Sequence, residues 1–185
     1  MTLIEVVVFI VVLGIGIAGT VVLFTQVTKA SVDPMIRKQA IALASSVLEE
    51  VELKPFTFCD PDDPLVYTAG GTGACATAED IGVEGVETRY SAANRFDNVS
   101  DYNGFAMGSG QADPNIRTAD NTPISALSDY SVVVTVAAIS ANELGATIPT
   151  ATTEALRITV VATHVPTGTV VSLRGYRTLY APNSP

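Results

Sequence analysis

The sequence predicts an α+β fold, in which a long N-terminal α-helix packs on a C-terminal antiparallel β-sheet. Three observations carry that prediction. Residues 1–28 are almost wholly apolar and hold a single charge, Glu5. Ile36, Ala40, Leu43, Ala44, Val47, Leu48 and Val51 then recur at helical spacing. Late in the chain, three segments alternate apolar and polar residues with a period of two.

The first segment, 1–28, is long enough to cross a hydrocarbon core of about 30 Å as a helix. Gly14, Gly16 and Gly19 and many β-branched residues make it a poor helix in water. In lipid the backbone must satisfy its own hydrogen bonds, so helix is expected. The glycines serve either close helix–helix packing or a stretch that loosens when the helix leaves the membrane. Nothing basic precedes the apolar run, and the run exceeds the usual h-region, so it does not read as a cleaved secretory signal. Lys29, Arg37 and Lys38 follow it. The positive-inside rule would then hold the rest of the chain in the cytoplasm, unless a short basic leader once preceded Met1. Glu5 is costly within such a span, by roughly 2.5–3.5 kcal/mol at the bilayer centre. The nearest cation the chain offers is its own α-amine. In a stack of identical helices, the amine of one copy would meet Glu5 of the next.

The second segment, 29–54, is the amphipathic half of the helix. Asp33-Pro34 is expected to kink it or to start it afresh, with Ser31 or Asp33 as cap. Pro55 closes it. The third segment, 55–129, is irregular and turn-rich, with a strand expected only at Val86–Tyr90. Long irregular stretches tend to be functional surface. The fourth, 130–185, contains strands expected at Tyr130–Ala141, Ala155–His164 and Gly168–Tyr180. Pro166-Thr167-Gly168 should turn the last two into a hairpin, and Gly175 is a candidate bulge. One buried face is expected, formed by Tyr130, Val132, Val134, Val136 and Ala138, then Leu156, Ile158, Val160 and Ala162, then Val171 and Leu173. The amphipathic helix is its lid.

Composition narrows the function classes. The 185 residues suffice for one globular domain and an appendage. Net charge is −9, and the ten Lys and Arg never run longer than Arg37-Lys38. Nucleic acid is therefore not an expected partner. Cys59 and Cys75 form a disulfide if the domain is exported, closing about 15 residues for roughly 3 kcal/mol; two reduced thiols are the alternative. Two cysteines and the single His164 do not make a closed zinc site. Asp60, Asp62 and Asp63, or Asp97, Asp101 and Asn103, offer hard oxygens for calcium. They lack EF-hand spacing, and such residues also build turns. No cofactor is otherwise expected. His164 is expected to be structural, and Asn98-Val99-Ser100 matches a glycosylation triplet. No nucleophile–base pair or metal set suggests an enzyme.

Thr2-Leu3-Ile4-Glu5 at the head of an apolar helix, an amphipathic continuation, a loop and a C-terminal antiparallel sheet resemble the type IV pilin superfamily, including minor pilins and type II secretion pseudopilins. The resemblance implies a prepilin peptidase that cuts before Met1 and methylates its amine, with Glu5 pairing to that amine on a neighbouring subunit. It implies a helical homopolymer as partner, an inner-membrane assembly machinery, a bilayer that holds the subunits first, and an extracellular pilus afterwards, with adhesion among its roles. A low-abundance minor pilin or pseudopilin acting as primer, tip or piston is the nearest alternative. A membrane-anchored binding module that never polymerises is the more distant one. Three departures stand out. Met1 replaces the usual Phe, Val22 stands where many pilins have proline, and both cysteines lie just after the helix and not in a C-terminal loop.

Overall fold

A computed structural model describes residues 2–139, 143 and 155–185, with the side chains of 26–32 outside the description. The fold is α+β. Helix α1 spans Leu3–Glu52, and strands β1 (Ala106–Gly108), β2 (Tyr130–Ala138), β3 (Ala155–His164) and β4 (Thr169–Thr178) follow. The four strands form one sheet in the order β1-β2-β3-β4, every pair antiparallel. The chain divides into two units, Met1–Gln39 and Ala40–Pro185.

In the first unit, Leu3–Thr25 is long and apolar enough to cross a membrane: 23 residues with mean hydropathy 3.0, none of it buried within the protein. Its hydroxyls are satisfied locally. Thr20 Oγ1 donates to the Ile17 carbonyl and Thr25 Oγ1 to that of Val22, both at 2.8 Å, as a helix in hydrocarbon requires. The helix continues through Pro34, so the restart expected at Asp33-Pro34 does not occur. Proline forfeits one i→i−4 bond, and the helical turns on either side persist.

In the second unit, the helical stripe predicted from spacing is buried: Ala40, Leu43, Ala44, Val47 and Val51 are all closed from solvent. The strand register explains the matching sheet face. Val132 pairs Ala162, Val134 pairs Val160 and Val136 pairs Ile158; Ala162, Val160 and Ile158 in turn pair Val171, Leu173 and Gly175. Directly paired residues share a face, and this one is apolar. Leu48 and Glu52 of α1 reach β4 at Gly175, where an added Cβ would lie 3.0 Å from Leu48 Cδ1 and collide with the Glu52 carboxylate. Gly175 keeps regular register with Ile158, so it is not a bulge. It is a place where helix and sheet approach closely.

Four further details depart from the sequence expectation. The sheet has a fourth strand, β1, inside the region read as irregular. Val86–Tyr90 is not a strand: only Thr88 makes a bridge, to Arg95, because the chain turns there to send Arg89 inward. Ala138, expected on the buried face, is exposed at the end of β2. Strand β2 ends at Ala138 and β4 at Thr178; residues 140 and 141 of the longer expected β2 lie outside the described residues. The hairpin is as expected, with His164 opposite Thr169 and Gly168 at φ +68° donating its N–H to the His164 carbonyl at 2.9 Å.

Two devices hold the irregular region. Cys59 and Cys75 are joined by a disulfide, packed with Val66, Ala69 and Phe58 in a small apolar cluster. Replacing both with serine should cost roughly 3 kcal/mol by loss of the chain constraint, read as a lower urea midpoint; an unchanged midpoint would refute this. The second device is a buried ion pair. Arg89 Nε and Nη2 donate to Glu50 Oε1 and Oε2 at 2.7 and 2.5 Å, and Tyr102 Oη donates to Glu50 Oε1 at 2.8 Å. Arg89 Nη1 also reaches Tyr90 Oη and the Arg117 carbonyl. Together these bonds tie three parts of the irregular region to the last turns of α1.

Candidate functional site

Two features stand apart from ordinary packing: the charge at the head of the apolar helix, and a cluster of carboxylates in the second unit. Glu5 lies in the first turn of α1, where a carboxylate complements the unpaired N–H groups of a helix start. The Thr2 N–H donates to its Oε2 at 3.4 Å, a long and weak bond. The flanking residues Leu3, Ile4, Val6, Val7, Val8 and Phe9 are all exposed. Glu5 is thus a lone acid on an uncovered apolar surface. Met1, assigned the methylated amine, lies outside the described residues. Gly14, Gly16 and Gly19 have open space where a Cβ would stand, so nothing within this chain requires glycine there.

The carboxylate cluster is built by two loops. The first carries Glu79, Glu84 and Glu87. The second carries Asp97 and leads into the short 3-10 turn Ser100–Tyr102, which holds Asp101. That turn is pinned to β2: Asn103 Oδ1 accepts the Val136 N–H at 3.1 Å, and the Gly104 N–H donates to the Val134 carbonyl. Asp101 is 1% exposed. Its Oδ2 accepts the N–H groups of Asp97 and Asn98 at 2.9 and 2.7 Å, while Oδ1 has no hydrogen-bond partner. Carboxylates surround it instead. Oxygens of Glu79, Glu84 and Asp101 lie within 4.8 Å of one another, as do those of Glu87, Asp97 and Asp101 and those of Asp60, Asp62 and Asp97.

Burial first, and this crowding after it, raise the proton affinity of four of these acids. Burial pushes Glu79 up to about 9; the Ser100 hydroxyl offsets part of that, and the charge of Asp101 adds to it. Burial, opposed by the Asn98 N–H and reinforced by Glu87 and Glu84, pushes Asp101 up to about 8. Glu87 rises to about 7 through burial and Asp97. Asp97 rises to about 6 through burial, Asp60 and Asp62, with Lys54 offsetting some of the effect.

The acidic residues singled out in the sequence separate here. Asp97 and Asp101 meet, but Asn103 does not join them; its side chain is spent on β2. Asp60 and Asp62 form the exposed edge of the same cluster. Asp63 leaves it, because its two oxygens accept the N–H groups of Leu65 and Thr77. Those bonds, Thr77 first, hold its carboxyl below the usual range. Sequence reasoning missed Glu79, Glu84 and Glu87, which are spread over nine positions without a ligand spacing. Asn98 is fully buried, its Nδ2 donating to Thr57 Oγ1 at 2.9 Å, so the glycosylation triplet is closed to a glycan in the folded protein. The His164 ring lies tilted against Tyr130, with centroids 4.8 Å apart, and shares a hydrogen bond with Thr167 Oγ1 at 2.8 Å.

No protein-family model, curated protein or solved structure matches this chain.

Proposed function

We propose that the chain is a membrane-held subunit of a type IV pilin-like filament, which polymerises through α1 and presents the unit Ala40–Pro185 on the outside. The observation that carries this reading is Glu5. It is the one charge in an exposed apolar helix of membrane length, and a charge so placed calls for a partner. The amine of a second copy supplies one without adding a residue. The disulfide supports the export of the second unit, since such bonds persist in oxidising compartments.

In this reading the bilayer stores the subunits, and apolar helix faces pass from lipid to the interior of a helical bundle. Glu5 sets the register, because a displaced subunit leaves one acid and one amine unpaired in a dry core. The outer unit does no chemistry in assembly; it is the exposed surface. The Glu5→Val variant should stay in the membrane fraction and lose sheared surface filaments nearly completely by electron microscopy. Filaments at parental abundance from Glu5→Val would overturn the proposal.

A further inference from the structure

The orphaned oxygen of Asp101 carries a second inference, independent of whether the chain polymerises. A buried carboxylate oxygen without a donor loses solvation and gains nothing in return. Asp101 also lies among other acids in place of the Lys or Arg that usually compensates such a group. We propose that the cluster is a binding site for one hard divalent cation, calcium, with Asp101 Oδ1 as the central ligand and carboxylate oxygens drawn from the two acid sets it joins, Glu79 with Glu84 and Glu87 with Asp97, around it.

The donor set identifies the ion class. Every candidate ligand is a carboxylate oxygen, with neither imidazole nor thiolate among them, which favours calcium, magnesium or manganese over zinc or copper. Among these, calcium accepts the larger and less regular sphere, with oxygens at about 2.3–2.6 Å, whereas magnesium demands a near-ideal octahedron at about 2.0–2.1 Å. The loops supply irregular geometry, which calcium tolerates and magnesium does not.

The site is also anchored for the purpose. Asp101 Oδ2 is held by two backbone N–H groups, leaving Oδ1 as the free position. Glu84 Oε1 takes the Asp80 N–H at 3.0 Å, and Glu79 Oε1 takes the Ser100 hydroxyl. Each of these acids keeps a second oxygen for an ion. The alternative occupant is a proton shared among the acids.

Thermal unfolding of the full chain in detergent micelles, monitored by circular dichroism, separates the two at matched ionic strength and neutral pH. Calcium chloride at about 5 mM, above the ~0.1–1 mM dissociation constants of extracellular calcium modules, should raise Tm by about 2–9 °C over the chelated protein. Magnesium at the same concentration should raise it far less. Glu87→Gln, a partly exposed position that need not disturb the fold, should remove most of the calcium response, and Asp101→Asn the rest. A folded chain whose Tm is the same in calcium and in chelator overturns the proposal. So does a calcium shift that survives undiminished in Glu87→Gln and Asp101→Asn.

Discussion

The Glu50→Ala variant should lose about 3–5 kcal/mol of unfolding free energy, because it leaves the Arg89 guanidinium buried without its counter-ion. Arg89 is 4% exposed and Glu50 21%, joined by two hydrogen bonds. Removing the carboxylate also strips Tyr102 Oη of its acceptor. A domain of this size has roughly 5–15 kcal/mol in all, so the loss is a large share. Replacing Glu50 and Arg89 together by methionine should cost less than Glu50→Ala alone, since no buried charge remains. Urea unfolding of the three variants reads both statements. A Glu50→Ala cost below about 1 kcal/mol would place the pair among those that contribute little.

The same pair sets a pH dependence. Burial raises the Glu50 carboxyl, but the Arg89 hydrogen bond and charge and the Tyr102 hydroxyl outweigh it, so the folded pKa lies below the ordinary 4.5. A lowered folded pKa means stability that is fully present above 4.5 and lost as pH falls through the folded value. Other acids titrate in the same protein, so the informative quantity is a difference. The stability gap between the parent and Glu50→Gln should be constant above about pH 5 and close on further acidification.

The Gly108→Ala variant should cost about 2–5 kcal/mol. Gly108 closes β1 at φ +98°, a region an L side chain enters at about 1–2 kcal/mol. The new Cβ would also strike the Tyr130 carbonyl oxygen and lie 2.6 Å from Ile116 Cδ1 and 2.9 Å from Ser131 Cα. Two of those three obstacles are backbone, which cannot rotate away, and overpacking adds about 1–3 kcal/mol. Gly168 is the control: its φ is also positive, at +68°, with open space around it. Gly168→Ala should therefore show only the backbone part. Equal costs at the two positions, measured by urea unfolding, would mean that β1 yields freely and that the clash is unimportant.

What the chain reveals by inspection is what depends on near neighbours. The apolar run at 1–28, the stripe from Ala40 to Val51, the β3–β4 hairpin and the chain-close cysteines are all local patterns. A period of 3.6 or 2, a Pro-Thr-Gly turn and a short Cys–Cys separation survive without knowing the rest of the fold. Strand β1 has no such pattern. Three residues cannot display a period, and Ala106–Gly108 is a strand because the edge of β2 has unpaired backbone groups to meet.

The carboxylate cluster was half legible. Asp97 and Asp101 stood out as a pair, yet Glu79, Glu84 and Glu87 join them only after a second loop folds over the turn at Ser100–Tyr102. Arg89 looked like a strand residue at Val86–Tyr90 and proved to be the partner of Glu50, 39 positions earlier. Composition and periodicity thus determined the helix, the hairpin face and the isolation of Glu5, and left the cysteines either bridged or reduced until the structure joined them. Long-range closure decided which buried groups are paired, where the sheet gains an edge strand, and why Gly108 must be glycine. The physical reason is that burial and pairing are properties of two distant segments brought together, while a repeat belongs to one.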